Sequence, residues 1–100
     1  MPFRVSKVAE REMDAIFVYW AQRVGVEVAD RLVDSIQERF VALGDYPLAR
    51  RKCDEIAPGI FSFPAGKYLI YYRRKRALII ILHVVHGARE QSRAFTPESS

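Results

Sequence analysis

Cysteine is almost absent from this chain, with Cys53 the only one. A lone thiol cannot close an intrachain disulfide, and with no second cysteine beside it neither a zinc site nor a redox pair is indicated. Cys53 therefore reads as a small, partly buried side chain. Long apolar runs are missing too. The purely aliphatic run at residues 77–82 falls far short of the roughly 20 residues that cross a bilayer. Near the N-terminus Phe3 and Val5 alternate with polar residues and charged residues follow, unlike the uninterrupted apolar core of a signal peptide. Neither an internal repeat nor a low-complexity tract is found. The expectation is a soluble, cytoplasmic chain that needs no metal and no cofactor.

What is present suits one compact domain over residues 1–100, with a polar tail from about 90 to 100. Half of the 100 residues are hydrophobic, enough for a single core, although so small a chain keeps a high ratio of surface to volume. Charge is divided unevenly. Residues 1–45 carry six Lys/Arg against eight Asp/Glu, a net of −2, while residues 46–100 carry ten against four, a net of +6. A basic C-terminal half favours an anionic partner, either nucleic acid or an acidic protein segment.

The pattern of the first half is helical. Phe3 and Val5 alternating with Arg4 and Ser6 predict a short strand, and Ser6 is placed to cap a helix. Met13, Ile16, Phe17, Trp20 and Val24 fall on one face of that helix, opposite Arg11, Glu12, Gln22 and Arg23. After a helix end at Gly25, a second stripe follows in Ala29, Leu32, Val33, Ile36, Phe40 and Leu43, with Asp30, Asp34, Glu38 and Arg39 turned to solvent; Gly44 and Pro47 stop it. So short a link predicts an antiparallel helical hairpin.

The second half changes period. Residues 47–58 are polar and basic and read as a loop or a short helical turn. Three strands are predicted at 60–63, 67–73 and 77–86, joined by turns at 64–66 and 74–76, which gives an antiparallel meander. The fold class expected is α+β: a strand, a two-helix hairpin, then three strands, in two layers. In the last strand Ala77, Ile79, Ile81, His83 and Val85 alternate with Leu78, Ile80, Leu82, Val84 and His86. In the strand before it Leu69 and Tyr71 oppose Tyr68, Ile70 and Tyr72. Both faces are apolar, yet two helices cover only one. The surplus predicts a tightly bound protein partner.

The run APGIFSFPAGKYLIYYRRKRALIIILHVVHGARE, residues 57–90, resembles the C-terminal half of the ParE toxins of the ParE/RelE superfamily. Pro58, Gly59, Gly66, Lys67, Tyr68, Ile70, Tyr72, Arg73, His86, Gly87, Ala88, Arg89 and Glu90 match that pattern. The order of elements and the P-x-x-x-R stretch of residues 47–51 extend the likeness over nearly the whole chain. The resemblance implies the bacterial toxin of a type II toxin–antitoxin module, held in a hetero-oligomer by a ParD-like antitoxin and acting on DNA gyrase to arrest growth. RelE relatives on the same fold instead cleave messenger RNA in the ribosome.

Chemistry separates the two. His83 and His86 are three apart, so on a regular strand they point to opposite faces and cannot flank one phosphate. No tyrosine follows Arg89; Phe95 transfers no proton, and arginine is a poor acid or base near neutral pH. A non-enzymatic role at gyrase is therefore favoured over RelE-type nuclease activity. Target contact is expected of Arg73, His83, His86, Arg89 and Glu90, and antitoxin contact of Phe61, Phe63, Tyr68, Tyr72 and Leu82. Structural readings stand beside these. His86 with Arg89 and Glu90 can form a simple turn, with Gly87 admitting an unusual backbone angle; His83 can be a hydrogen-bonded core residue; Arg73 to Arg76 can be a solvated turn. ParE relatives commonly carry arginine where this chain has Phe61 and His83, and aspartate at Glu90, so a diverged, non-toxic relative is an alternative. A plain nucleic-acid-binding module stacking bases on Tyr68, Tyr71 and Tyr72 is another, although tyrosines on both faces do not make one platform.

Overall fold

The computed structural model describes residues 2–45, 51–54 and 56–87. Its elements are β1 (Phe3–Val5), α1 (Lys7–Val24), α2 (Val26–Asp45), β2 (Arg51–Lys52), β3 (Phe61–Ala65), β4 (Tyr68–Lys75) and β5 (Leu78–His86). They build one five-stranded sheet in the order β1-β5-β4-β3-β2. The meander β3-β4-β5 is antiparallel, as is β2 against β3, while β1 runs parallel to β5. The α+β class, the helical hairpin and the meander are those expected.

The turns between elements follow from local chemistry. Ser6 is extended at φ −67° and ψ 160°, and its hydroxyl accepts the Ala9 N–H at 3.0 Å, capping α1. The same hydroxyl donates to the Leu82 carbonyl at 3.1 Å, and the Ser6 N–H donates to Ile81 O at 3.0 Å. One residue thus starts the helix and fastens it to β5. Gly25 joins the helices alone: its N–H closes α1 on Ala21 O and its carbonyl accepts the Ala29 N–H, both at 3.1 Å. Its φ of 103° and ψ of 156° lie in a region open essentially to glycine.

The helices cover one face of the sheet. Ala9, Met13 and Ile16 of α1 and Ile36, Phe40 and Leu43 of α2 pack on Phe63, Ala65, Tyr68, Ile70, Tyr72, Ile79, Ile81 and Val84. Fully burying an aliphatic side chain of this size is worth about 1.5–3 kcal/mol, so this cluster carries most of the hydrophobic stabilisation. Trp20 is half-buried at its margin and Phe17 is half-buried, whereas Val24, expected on the apolar stripe, is 50% exposed at the hairpin tip.

The second face is covered differently from the expectation. Residues read as loop contain β2, whose Lys52 pairs with Phe61. The segment after it folds back: Cys53 N–H donates to Ile60 O at 2.8 Å, Ile56 N–H to Cys53 O at 2.9 Å, and Gly59 N–H to the Asp54 carboxylate at 3.2 Å. This closure sets Cys53 and Ile60 on Tyr71, with Ile56, Ala57, Leu69, Leu82 and Val85 around them. The outer face therefore holds a small core of its own. Among the described residues the exposed large apolar ones are Phe3, Val8, Val18, Tyr19, Val24, Val26, Val28 and Val41, on β1 and the helices. Most of the exposed apolar area among the described residues lies on the helical layer, with Phe3 of β1 beside it.

Strand register also departs from simple alternation. Tyr71 faces His83 but Tyr72 faces Ile81, so Leu82 is an extra residue, a β-bulge in β5. Up to Ile81 the odd-numbered residues face the helices; beyond the bulge Val84 does so. The expected grouping of His83 and Val85 with Ile79 and Ile81 is wrong for this reason. The hairpin turns are tighter than expected, with Pro64 and Ala65 inside β3 and Lys75 inside β4, leaving Gly66 at φ 62° and Arg76 at φ 58° to reverse the chain.

Candidate functional site: a cleft at the open edge of β5

β1 pairs with β5 only through Ile79–Ile81. Among the described residues no strand lies beside the edge of β5 beyond Ile81, and side chains from Ser6 and α1 take over its polar groups. Ser6 satisfies the Leu82 carbonyl. Glu12 reaches down from α1 to accept the Val84 N–H at 2.8 Å through one carboxylate oxygen, and its other oxygen lies 3.1 Å from His83 Nδ1. The side chains of His83 and Glu12 are 19% and 27% exposed. Glu12 was expected to face solvent. It sits instead beside the apolar stripe, three residues after Ala9 and four before Ile16, where a helical side chain reaches the flank of the sheet.

Past Glu12 the space between α1 and β5 opens into a cleft of about 460 Å³, bounded by Ala15, Ile16, Tyr19, Trp20, Tyr68 and Val84 to His86. Its walls are tied together. Trp20 Nε1 donates to the Tyr68 hydroxyl at 2.8 Å, Tyr19 meets Trp20 edge-on at 5.1 Å between ring centroids, and the Arg23 guanidinium lies 4.2 Å over the Tyr19 ring. His86 stands edge-on to Tyr68 at 5.3 Å. The cleft is therefore a largely apolar groove with a few polar points at Glu12, the Tyr68 hydroxyl and His86, the general make-up of a binding cleft.

The two histidines are not brought together. His83 is engaged by Glu12 at the strand edge, and His86 by Tyr68 on the helix face, so no acid–base pair is assembled from them. The hydrogen-bonded reading of His83 holds. Gly87 serves a purpose other than the one expected: its N–H donates to Lys67 O at 2.7 Å, and a Cβ there would stand 3.1 Å from that oxygen. Close approach, not an unusual angle, favours glycine here. Arg73 is exposed near the end of β4, two residues from Tyr71, the partner of His83, and five from Tyr68, the partner of His86. Arg89 and Glu90 lie outside the described residues.

The residues expected to meet an antitoxin divide. Phe63, Tyr68 and Tyr72 are buried beneath the helices, because strand alternation turns Tyr68, Ile70 and Tyr72 inward together; of these, only Tyr68 lines the cleft. Phe61 is half-buried and stacks on Tyr72 at 5.6 Å, and Leu82 belongs to the small core of the outer face. With Tyr68, Tyr71 and Tyr72 at 7%, 0% and 1% exposure, the platform for base stacking does not exist. Among the described residues no helix is long and apolar enough to cross a membrane.

Comparison with known proteins places this architecture. The family model described as "ParE toxin of type II toxin-antitoxin system" matches residues 3–91. Among curated relatives, Toxin ParE1 of Caulobacter vibrioides is 27% identical over 90 residues, covering 88% of this chain and 94% of the relative. Toxin ParE1 of Mycobacterium tuberculosis is 26% identical over 92 residues, covering 91% and 94%. Among solved structures, the chromosomal ParDE TA system from P. aeruginosa superposes with a TM-score of 0.77 at 23% identity, over 86% of this chain and 95% of that one. The RelBE2 toxin–antitoxin complex of Mycobacterium tuberculosis does so at 0.66 and 22%, over 85% and 95%. Both structures share the fold.

Proposed function

The chain belongs to the ParE toxin family of type II toxin–antitoxin systems, and from that premise we propose that it arrests growth by inhibiting DNA gyrase, without chemistry of its own, until a ParD-like antitoxin covers the α1/β5 cleft. The observation that carries the reading is the open edge of β5 with the groove beside it. An added chain can lay apolar side chains against Trp20, Ile16 and Val84 while its backbone runs along the edge past Val85 and His86. The solved structures of like fold are a ParDE system and a RelBE2 toxin–antitoxin complex, which supports an antitoxin as the occupant.

The chemistry of the site supports the non-enzymatic reading. RNA cleavage through the 2′-hydroxyl needs a proton acceptor and donor on opposite sides of one phosphate. His83 already holds Glu12 and His86 packs on Tyr68. Gyrase and the antitoxin would be met in the cytoplasm. The test is induced expression with and without the neighbouring antitoxin gene, followed by a supercoiling assay and a translation assay with purified chain. Growth arrest with blocked supercoiling, relieved by the antitoxin, is expected. Truncated transcripts on ribosomes with normal supercoiling would replace gyrase by the RelE-type target, and absence of arrest would make this a non-toxic relative.

A further inference from the structure

Three strands meet in one row at the end of the sheet away from the cleft: Arg4 of β1 and Arg73 of β4 both pair with Ile80 of β5, one from each side. With strands about 4.8 Å apart, the two arginines stand roughly 10 Å from each other across the isoleucine. In the same strand Lys75 pairs with Leu78, two residues farther along and hence on the same face. That face is the outer one, since Tyr72 and Ile79 beside the row turn inward to the helices. Arg4, Lys75, Arg76, Ala77, Leu78 and Ile80 border a shallow hollow of about 560 Å³ there.

All four cations are exposed, and Leu78 and Ile80 are half-buried between them. Among the described residues none of the four is in an ion pair. The acidic side chains Glu10, Asp14, Asp34 and Glu38 belong to the helices, on the other layer, while Asp54, on the segment over the outer face, accepts the Gly59 N–H. Among the described residues the row is thus a group of cations outside any ion pair, set around an aliphatic strip. A phosphate backbone would meet the charges but has nothing to place on Leu78 and Ile80, and the nearby tyrosines are too buried to stack bases. A peptide bearing carboxylates and aliphatic side chains answers both features: arginine's planar fork takes a carboxylate in two hydrogen bonds, and an aliphatic group completes the strip.

We propose that the row Arg4–Ile80–Arg73, with Lys75 and Leu78 beside it, docks an acidic, aliphatic-bearing segment of the protein that this toxin acts on. The inference rests on the toxin reading and gives it a second surface, on the opposite sheet face from the antitoxin cleft.

The test compares the wild-type chain with Arg4→Glu/Arg73→Glu, and with Arg4→Gln/Arg73→Gln should reversal impair folding, each checked by thermal melting. The probes are a synthetic peptide of alternating glutamate and leucine, a duplex oligonucleotide of equal charge, and growth arrest on induction. Expected are preference for the peptide, at least a tenfold loss of peptide binding in the variants, loss of growth arrest, and antitoxin binding within twofold of wild type. Unchanged peptide binding, arrest as strong as wild type, or preference for the oligonucleotide would each overturn the proposal. A wild-type chain that arrests growth without touching supercoiling removes gyrase and leaves the row standing. A wild-type chain that arrests nothing removes the toxin reading, and the target docking with it.

Discussion

The carboxylate of Glu12 accepts the backbone N–H of Val84 at 2.8 Å, so a helix side chain occupies the position that a neighbouring strand would take on β5. The bulge at Leu82 and the end of β1 at Val5 make this necessary. A half-buried amide left without an acceptor costs about 1–3 kcal/mol.

Removing that carboxylate is therefore expected to destabilise the chain more than exposure alone suggests. Glu12→Ala should lower the unfolding free energy by about 1–3 kcal/mol, and Glu12→Gln, which keeps a carbonyl oxygen for Val84, by less than half of the alanine loss. Urea titration of the two variants checks it. Equal losses, or none in either, would show that the Val84 amide does not depend on Glu12.

A second prediction concerns the one-residue link of the hairpin. At φ 103° and ψ 156° Gly25 is outside the left-handed helical region that asparagine tolerates. Gly25→Ala should destabilise by about 1–3 kcal/mol through backbone strain alone, since a Cβ there meets nothing within 4 Å. Gly25→Asn should be no better than alanine. Recovery in the asparagine variant during thermal melting would mean that the backbone relaxes to an ordinary left-handed turn.

These two sites mark what the sequence reveals and what it conceals. Ser6 and Gly25 were legible because capping and reversal are decided within a few residues of chain, and the helix and strand periods followed from side-chain alternation. Glu12 was hidden because its partner is 72 residues away. The faces of β5 were misassigned beyond Ile81 because a single bulged residue, Leu82, shifts the alternation, and nothing local announces it. β2 is two residues long, too short for a period. Both faces of β4 and β5 are apolar as read, but the second face is covered within the chain, since the closure of Cys53 on Ile60 supplies a cover that composition does not predict.

That cover yields a third prediction. Cys53 is fully buried under its own segment, with its thiol 3.3 Å from the Ser62 hydroxyl. Its modification by a thiol reagent in native buffer should be limited by opening of this segment and slower than in denaturant by a factor of about 100 or more, as for a site whose local opening costs upwards of about 3 kcal/mol. Gly59→Ala, which strains the turn at φ 80°, should speed the reaction with little change in global stability. A rate equal to that of the unfolded chain would show that the outer face is not closed.

The last prediction reads the cleft directly. Trp20 is the only tryptophan of the chain, half-buried at the wall of the cleft and hydrogen-bonded to Tyr68. Seating an antitoxin against it should exclude water from the ring and move its emission to shorter wavelength as the complex forms. Trp20→Ala should weaken the antitoxin by at least tenfold, about 1.4 kcal/mol, because a central aromatic anchor carries a disproportionate share of an interface. Trp20→Phe, which keeps most of the ring but no N–H, should fall between. Val24→Ser, at the exposed hairpin tip, should leave the affinity within twofold. The opposite ranking, with Val24→Ser the harmful change and the Trp20 emission unmoved, would shift the antitoxin from the β5 edge to the valine-rich end of the helices.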